Sequence, residues 1–143
     1  MKAYFVCVDT ADARTVSWLR HGLSQWLRTH VMPEEDKLND ILLAVNEALT
    51  NAAEFAYRGR QPGTMTLQVS YDRSNGTLIA EVSDNGTWRH VDPAAQPNTR
   101  GRGIPMMRAL ADGIKISQLQ NGTHVQMRFD ECARVPAEAF ASV

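Results

Sequence analysis

Cysteine is scarce in this chain. There are two in 143 residues, Cys7 and Cys132, and they stand too far apart for a C-x-x-C or similar metal spacing. The four histidines, His21, His30, His90 and His124, show no i,i+4 pair and no cysteine partner, so they read as surface or internally satisfied residues rather than ligands. No apolar run approaches the length that crosses a membrane, and the N-terminus lacks the charge, apolar run and small-residue site of a signal peptide. The expected setting is reducing and cytoplasmic, with Cys7 a buried free thiol inside the apolar run Tyr4–Val8. An excess of one charge is missing too. Lys and Arg total 15 against 16 Asp and Glu, a formal net charge of -1. That argues against a general nucleic-acid or membrane-surface binder. Two phosphate-binding signatures are absent as well: there is no G-x-x-x-x-G-K-[ST], and no third glycine completes G-x-G-x-x-G.

What is present belongs to one folded domain. The composition is 43% hydrophobic and 22% charged, and the length suffices for a core of its own. Tyr4–Val8 reads as a strand. Thr10 or Asp9 is expected to cap a helix reaching about Arg28, with Val16, Leu19, Leu23, Trp26 and Leu27 at helical spacing. Pro33-Glu34-Glu35 opens a second helix, expected to run to about Tyr57 and to end near Gly59. The period then changes. Thr64–Tyr71 and Thr77–Ser83 read as a hairpin through Asn75-Gly76. The stretch from Asn85 to Arg100 has the length of a lid or binding loop. A short helix over Met106–Asp112 and a second hairpin through Asn121-Gly122 follow. The expectation is a two-layer α+β sandwich, mostly antiparallel, with helices on one face of the sheet. Residues 1–130 form the domain and 131–143 a tail or linker.

Three constellations carry chemistry. On the second helix Glu47 and Asn51 are one turn apart and therefore neighbours. An amide oxygen at Asn51 suits Mg²⁺, which takes few protein ligands and shares phosphate oxygens; a carboxylate at Glu47 suits proton abstraction from a hydroxyl. The same pattern also fits a solvated helix face. Next, Ser83-Asp84-Asn85-Gly86 ends a strand. It is a turn signal, and equally a place where a carboxylate accepts from the exocyclic amine of adenine, which guanine lacks at that position. Finally, Arg100-Gly101-Arg102-Gly103-Ile104 opens a helix, where free N–H groups attract anions. A flexible loop is the competing reading.

In this order, and with Gly122-Thr123 in a late hairpin, these motifs resemble the GHKL ATPase and kinase superfamily, most closely its anti-sigma-factor serine-kinase branch. Glu47–Ala52 matches the N box, Ser83–Gly86 the first glycine box, and Gly101–Ile104 with Met107 and Leu110–Asp112 the second. The resemblance spans residues 4 to 129. It implies a left-handed β-α-β sandwich binding ATP and Mg²⁺ between helices and lid. It implies Asn51 as the Mg²⁺ ligand, Glu47 as the general base and Asp84 as the adenine anchor. Gly86, Gly101, Gly103, Ile104 and Thr123 shape the pocket; Arg100 and Arg102, on either side of Gly101, add positive charge for a phosphate, with solvated surface arginines as the competing reading. The implied activity is phosphorylation of a serine on an anti-anti-sigma partner of the STAS type, with a sigma factor as the second partner, and it admits a homodimer. The alternative is a nucleotide-dependent switch, or a regulatory domain of a larger signalling protein, without significant transfer. Two departures stand out: Trp88 replaces a frequent glycine, and Phe55 a frequent histidine. Trp26 is expected in the core, and Trp88, in the lid-length loop, over the nucleotide or a partner. Arg14 and Arg20 lie on exposed turns of the first helix.

Overall fold

Period-two alternation decides which way each face of the sheet looks. In the computed structural model, which describes residues 2–56, 63–85, 103–119 and 122–132 (without the side chains of residues 55, 56, 103 and 119), five strands form one antiparallel sheet. They are β1 (Lys2–Thr10), β2 (Thr64–Asp72), β3 (Thr77–Asp84), β4 (Gly113–Leu119) and β5 (Gly122–Phe129), in the order β1-β2-β3-β5-β4. Met65, Leu67, Val69 and Tyr71 of β2, Leu78, Ala80 and Val82 of β3, and Val125, Met127 and Phe129 of β5 are buried, while the residues between them are not. That buried face lies under the helices α1 (Ala13–His30), α2 (Glu35–Ala56) and α3 (Gly103–Leu110). From α1, Leu19, Leu23 and Leu27 enter the shared core; from α2, Leu38, Ile41, Val45 and Leu49 do. The two-layer α+β sandwich expected from the sequence is the fold.

Boundaries moved for local reasons. β1 keeps pairing with β2 as far as Thr10↔Thr64, so neither Asp9 nor Thr10 is free to cap α1. Asp12 does so instead, its Oδ1 accepting from Thr15 N at 2.7 Å. In α3 the helix begins at Gly103, three residues before the expected Met106, because Pro105 falls in the first turn, where no intrahelical N–H is required. The expected end of α2 near Gly59 lies outside the described residues. Cys7 is half-buried rather than buried, because β1 has a single neighbouring strand among the described residues. Trp26 is likewise partly buried, its ring 5.9 Å from that of Phe5.

Two ends can be distinguished. At one, called the Asp84 end, lie Thr10, Thr64, Asp84 and Gly122; at the other, the Asp112 end, lie Lys2, Asp72, Thr77, Gly113 and Phe129. The β2–β3 turn closes the Asp112 end. Asp72 accepts from Ser74 N at 3.0 Å, and Gly76 takes a positive φ of 72° that glycine tolerates. Cys132 is buried here, its N–H donating to Gly76 O at 2.9 Å.

Candidate active site

Asp84 continues the buried face of β3. Leu78, Ala80 and Val82 point at the helices, and Asp84 is the next residue of that alternation, half-buried at the strand's end. One step beyond the pairing of Ser83 with His124, it stands opposite Thr123. Thr123 belongs to the same face of β5 as Val125, Met127 and Phe129. On the other side Asp84 pairs with Met65. A row of Met65, Asp84 and Thr123 thus crosses the sheet under the helix layer.

Two devices hold that row. Asn85 Oδ1 accepts from Thr64 N at 2.8 Å, and Asn85 N donates to Thr64 O at 3.3 Å, so β3 cannot splay from β2. Gly122 closes the other gap. It has φ 148°, and a Cβ there would sit 1.7 Å from the carbonyl oxygen of Asp84. Only glycine lets β5 start this close, and the close start brings Thr123 against Asp84.

Thr123 is 8% exposed, and its Oγ1 is buried without a hydrogen-bond partner among the described residues. Such a hydroxyl forfeits about 1–3 kcal/mol. A ligand with a polar edge, seated beside Asp84, would supply the partner. Here the side chains fit an adenine: a carboxylate to accept from its amine, and a hydroxyl able to donate or accept beside it.

Helix α2 carries its polar pair toward the same end. Two rulers share a zero at the Asp112 end, where Lys37 Nζ lies 3.8 Å from Asp112 Oδ2, which also accepts from Asp130 N at 2.7 Å. From Lys37 to Asn51 the helix climbs about 21 Å. From Asp130 to Thr123 the strand climbs about 23 Å. Both elements therefore run from the Asp112 end toward the Asp84 end, and of the polar pair Asn51 has climbed furthest from Lys37. Azimuth follows in the same way. At ~100° per residue Asn51 lies about 40° from Lys37, which marks the α3 flank, and about 140° from Asn46. Asn46 marks the α1 flank, since its Oδ1 accepts from Arg20 Nη1 at 2.9 Å. Glu47 and Asn51 are both half-buried, not on the fully solvated side opposite the apolar stripe. Between them and the core, Ala44 and Ala48 are buried, small enough to let α3 and its buried Met107 come close. The first residue of α3, Gly103, faces the Asp84 end, and Ile104 beside it is 37% exposed.

Asp84 and Thr123 thus lie together at one end of the sheet, with Glu47 and Asn51 half-buried on α2 as that helix rises toward it. Gly86, Arg100, Gly101 and Arg102 lie outside the described residues, as do Trp88, Arg58 and His90. Sequence reasoning missed the Asn85 clamp, because its partner Thr64 is remote in the chain, and the Arg20–Asn46 bridge for the same reason. A separate cleft of about 790 Å³ runs between α1 and α2, lined by Asp12, Arg14, Arg20, Thr50, Ala53 and Glu54. It opens on the α1 flank and does not include Glu47 or Asn51.

The family description "histidine kinase-like ATPase domain" matches residues 10–129, most of the chain and all of the elements just described except β1, of which only Thr10 falls within the match. This chain belongs to the histidine kinase-like ATPase family. Within that family it is similar to the anti-sigma F factor of Clostridium botulinum (strain Eklund 17B / Type B), 27% identical over 106 residues, covering 67% of this chain and 73% of that protein. It is also similar to the serine-protein kinase RsbW of Listeria innocua, 34% identical over 76 residues, 51% of this chain and 47% of that protein. Among solved structures, the RsbU and RsbW domains of a Mycobacterium tuberculosis protein superpose with a TM-score of 0.71 at 21% identity. That likeness covers 90% of this chain and 32% of the solved chain, and shows that the two share the ATPase fold. Among the described residues no helix is long and apolar enough to cross a membrane.

Proposed function

We propose that this chain is a serine protein kinase of the anti-sigma type, transferring the γ-phosphoryl of ATP to a seryl hydroxyl of an anti-anti-sigma partner of the STAS class and thereby governing a sigma factor. The observation that carries this reading is the buried Thr123 hydroxyl, without a hydrogen-bond partner among the described residues, next to Asp84 at the end of the sheet. The similarity to proteins named anti-sigma F factor and serine-protein kinase supports the choice of activity.

Asp84 accepts from the adenine amine and Thr123 completes the polar edge. Asn51 offers its amide oxygen to Mg²⁺, which supplies charge neutralisation to the phosphates when bound. The start of α3, at Gly103 and Ile104, offers free N–H groups to the phosphates; Gly86, Arg100, Gly101 and Arg102, outside the described residues, belong to the same pocket by the resemblance of their motifs. Glu47, one turn before Asn51, accepts the proton of the attacking seryl hydroxyl. The new bond joins that oxygen to the γ-phosphorus, the bond to the β-phosphate oxygen breaks, and ADP leaves with the electron pair. Phosphoryl transfer asks mostly for such positioning and charge stabilisation.

The test is Glu47→Gln, assayed with labelled ATP, Mg²⁺ and a STAS-type partner. Transfer should fall by about 10²–10⁴, the usual worth of a positioned base, while ATP affinity by calorimetry stays within a few-fold. Undiminished transfer in Glu47→Gln would remove the base assignment. Nucleotide binding with no transfer to any partner, in wild type and variant alike, would replace the kinase with a nucleotide-dependent switch.

A further inference from the structure

Helix α1 carries charge of one sign. It holds Arg14, Arg20 and Arg28 with His21 and His30, and neither aspartate nor glutamate, in a chain with 16 acidic residues against 15 Lys and Arg. Its neighbour α2 is the reverse, with Glu35, Asp36, Asp40, Glu47 and Glu54 against Lys37 alone. Pairing between the helices would account for this, but among the described residues only Arg28 meets such an acid, 3.6 Å from Glu35. Arg20 donates instead to the neutral amide oxygen of Asn46 at 2.9 Å. Arg14 has no ion pair among the described residues. Asp12, two residues before it, spends its carboxylate on the Thr15 N–H.

These two arginines bracket a hollow of about 730 Å³, a volume within the range of ligand sites. Ser17, Trp18, His21 and Leu42 line it with them, and no acid does. The nearby acids Asp12 and Glu54 belong to the adjoining cleft, which meets the hollow at Arg14, Ser17 and Arg20. Ser17 stands midway. Each arginine is three residues away, about 4.5 Å of rise, a gap that its long stem spans. Both guanidiniums and the Ser17 hydroxyl can therefore converge on one anion. Beside them the Trp18 indole is 61% exposed, a broad apolar plane left in solvent.

We propose that this hollow binds a small organic phosphate carried on a planar aromatic body. A phosphate monoester near neutral pH brings close to two charges and several acceptor oxygens, which two guanidinium forks and a hydroxyl match. A lone carboxylate would satisfy one fork and leave the other. The aromatic body lies against Trp18, with Leu42 as its far wall. A nucleic-acid strand fits poorly, since the acids of α2 repel any phosphates beyond the first. Asn46 marks this flank of α2 and lies about 140° round the helix from Asn51. Occupancy therefore does not compete with a nucleotide at Asp84, and the inference stands apart from any kinase activity.

The probe is 1-naphthyl phosphate, titrated into the ¹⁵N-labelled full chain with and without ATP and Mg²⁺. Backbone signals of Ser17 and His21 and the Trp18 indole N–H should shift saturably, with a dissociation constant on the order of 0.5 mM for a ligand of this size. ATP and Mg²⁺ should leave that constant unchanged. Arg14→Gln and Arg20→Gln should each raise it roughly tenfold, and Trp18→Ala about fivefold. Arg14→Gln serves alone if Arg20→Gln loosens α2 by losing Asn46. Arg28→Gln, outside the hollow, should change nothing. The neutral control 1-naphthol should bind roughly tenfold more weakly or worse; equal binding would reduce the hollow to an apolar patch and overturn the proposal. Spectra that do not shift, or an affinity indifferent to Arg14→Gln, overturn it too. So do shifts confined to Asp84 and Thr123 and abolished by ATP, which would put the probe in the nucleotide site.

Discussion

Gly122 has the narrowest tolerance of any residue described at the site. Alanine there would drive its Cβ into the Asp84 carbonyl and must also hold a φ that side chains disfavour. Gly122→Ala should therefore cost at least about 2 kcal/mol in urea unfolding, the scale of a backbone clash in a packed region. It should weaken ATP binding at the same time, because Thr123 is carried away from Asp84; normal stability with normal affinity would show that the close approach is dispensable. The residue scale is also where the sequence was most legible. Asp84, Thr123, Glu47 and Asn51 stand out by type and order; the structure sets Asp84 next to Thr123 at one end of the sheet and leaves Glu47 and Asn51 half-buried on α2. The devices that hold them, Asn85 on Thr64 and Gly122 on Asp84, were not legible as such. Each joins residues far apart in the chain, and nothing in either local stretch names the partner.

Among elements, α1 shows how a local signal yields to pairing. Asp9 and Thr10 look like caps, but the strand keeps them. Asp12 takes the role, and the Thr15 backbone N–H, with smaller help from its neighbours, holds the Asp12 carboxyl below its ordinary value of 3.8. A depressed carboxylate contributes stability that is complete above 3.8 and fades as pH falls through its lower folded value. Asp12→Ala should thus be less stable than wild type at neutral pH, with the gap closing in acid below 3.8. A gap that persists unchanged through that range, followed by thermal melts, would mean that the cap acts through shape and not charge. The strands were legible because their turns are: Asn75-Gly76 and Asn121-Gly122 each sit between alternating runs. The neighbour order β3–β5 was not, since β4 intervenes in sequence and only three-dimensional packing puts it on the outside.

For the whole molecule, Cys132 ties the end of the described chain to the β2–β3 turn. Burial first of all raises its thiol from 9.0 to about 11. The thiol in the unfolded chain ionises at lower pH than the native one, so native protein holds the extra proton and stability falls as pH rises from 9 to about 11. The loss is on the order of 2 kcal/mol. Urea midpoints of wild type should drop more steeply over that range than those of Cys132→Ala; equal slopes would place the thiol in contact with water.

The partnership of β3 with β5 has a temporal consequence. Asp84 leaves the ribosome well before Thr123, and the strand that carries Thr123 joins β3 only after β4 has been made, as the second strand of the β4–β5 hairpin. On the proposed adenine site, a nascent or truncated chain lacking β5 would hold only the Asp84 half of the cradle. Nucleotide capture should then report a finished domain, with an unfinished one silent toward ATP however much of its helical layer has formed.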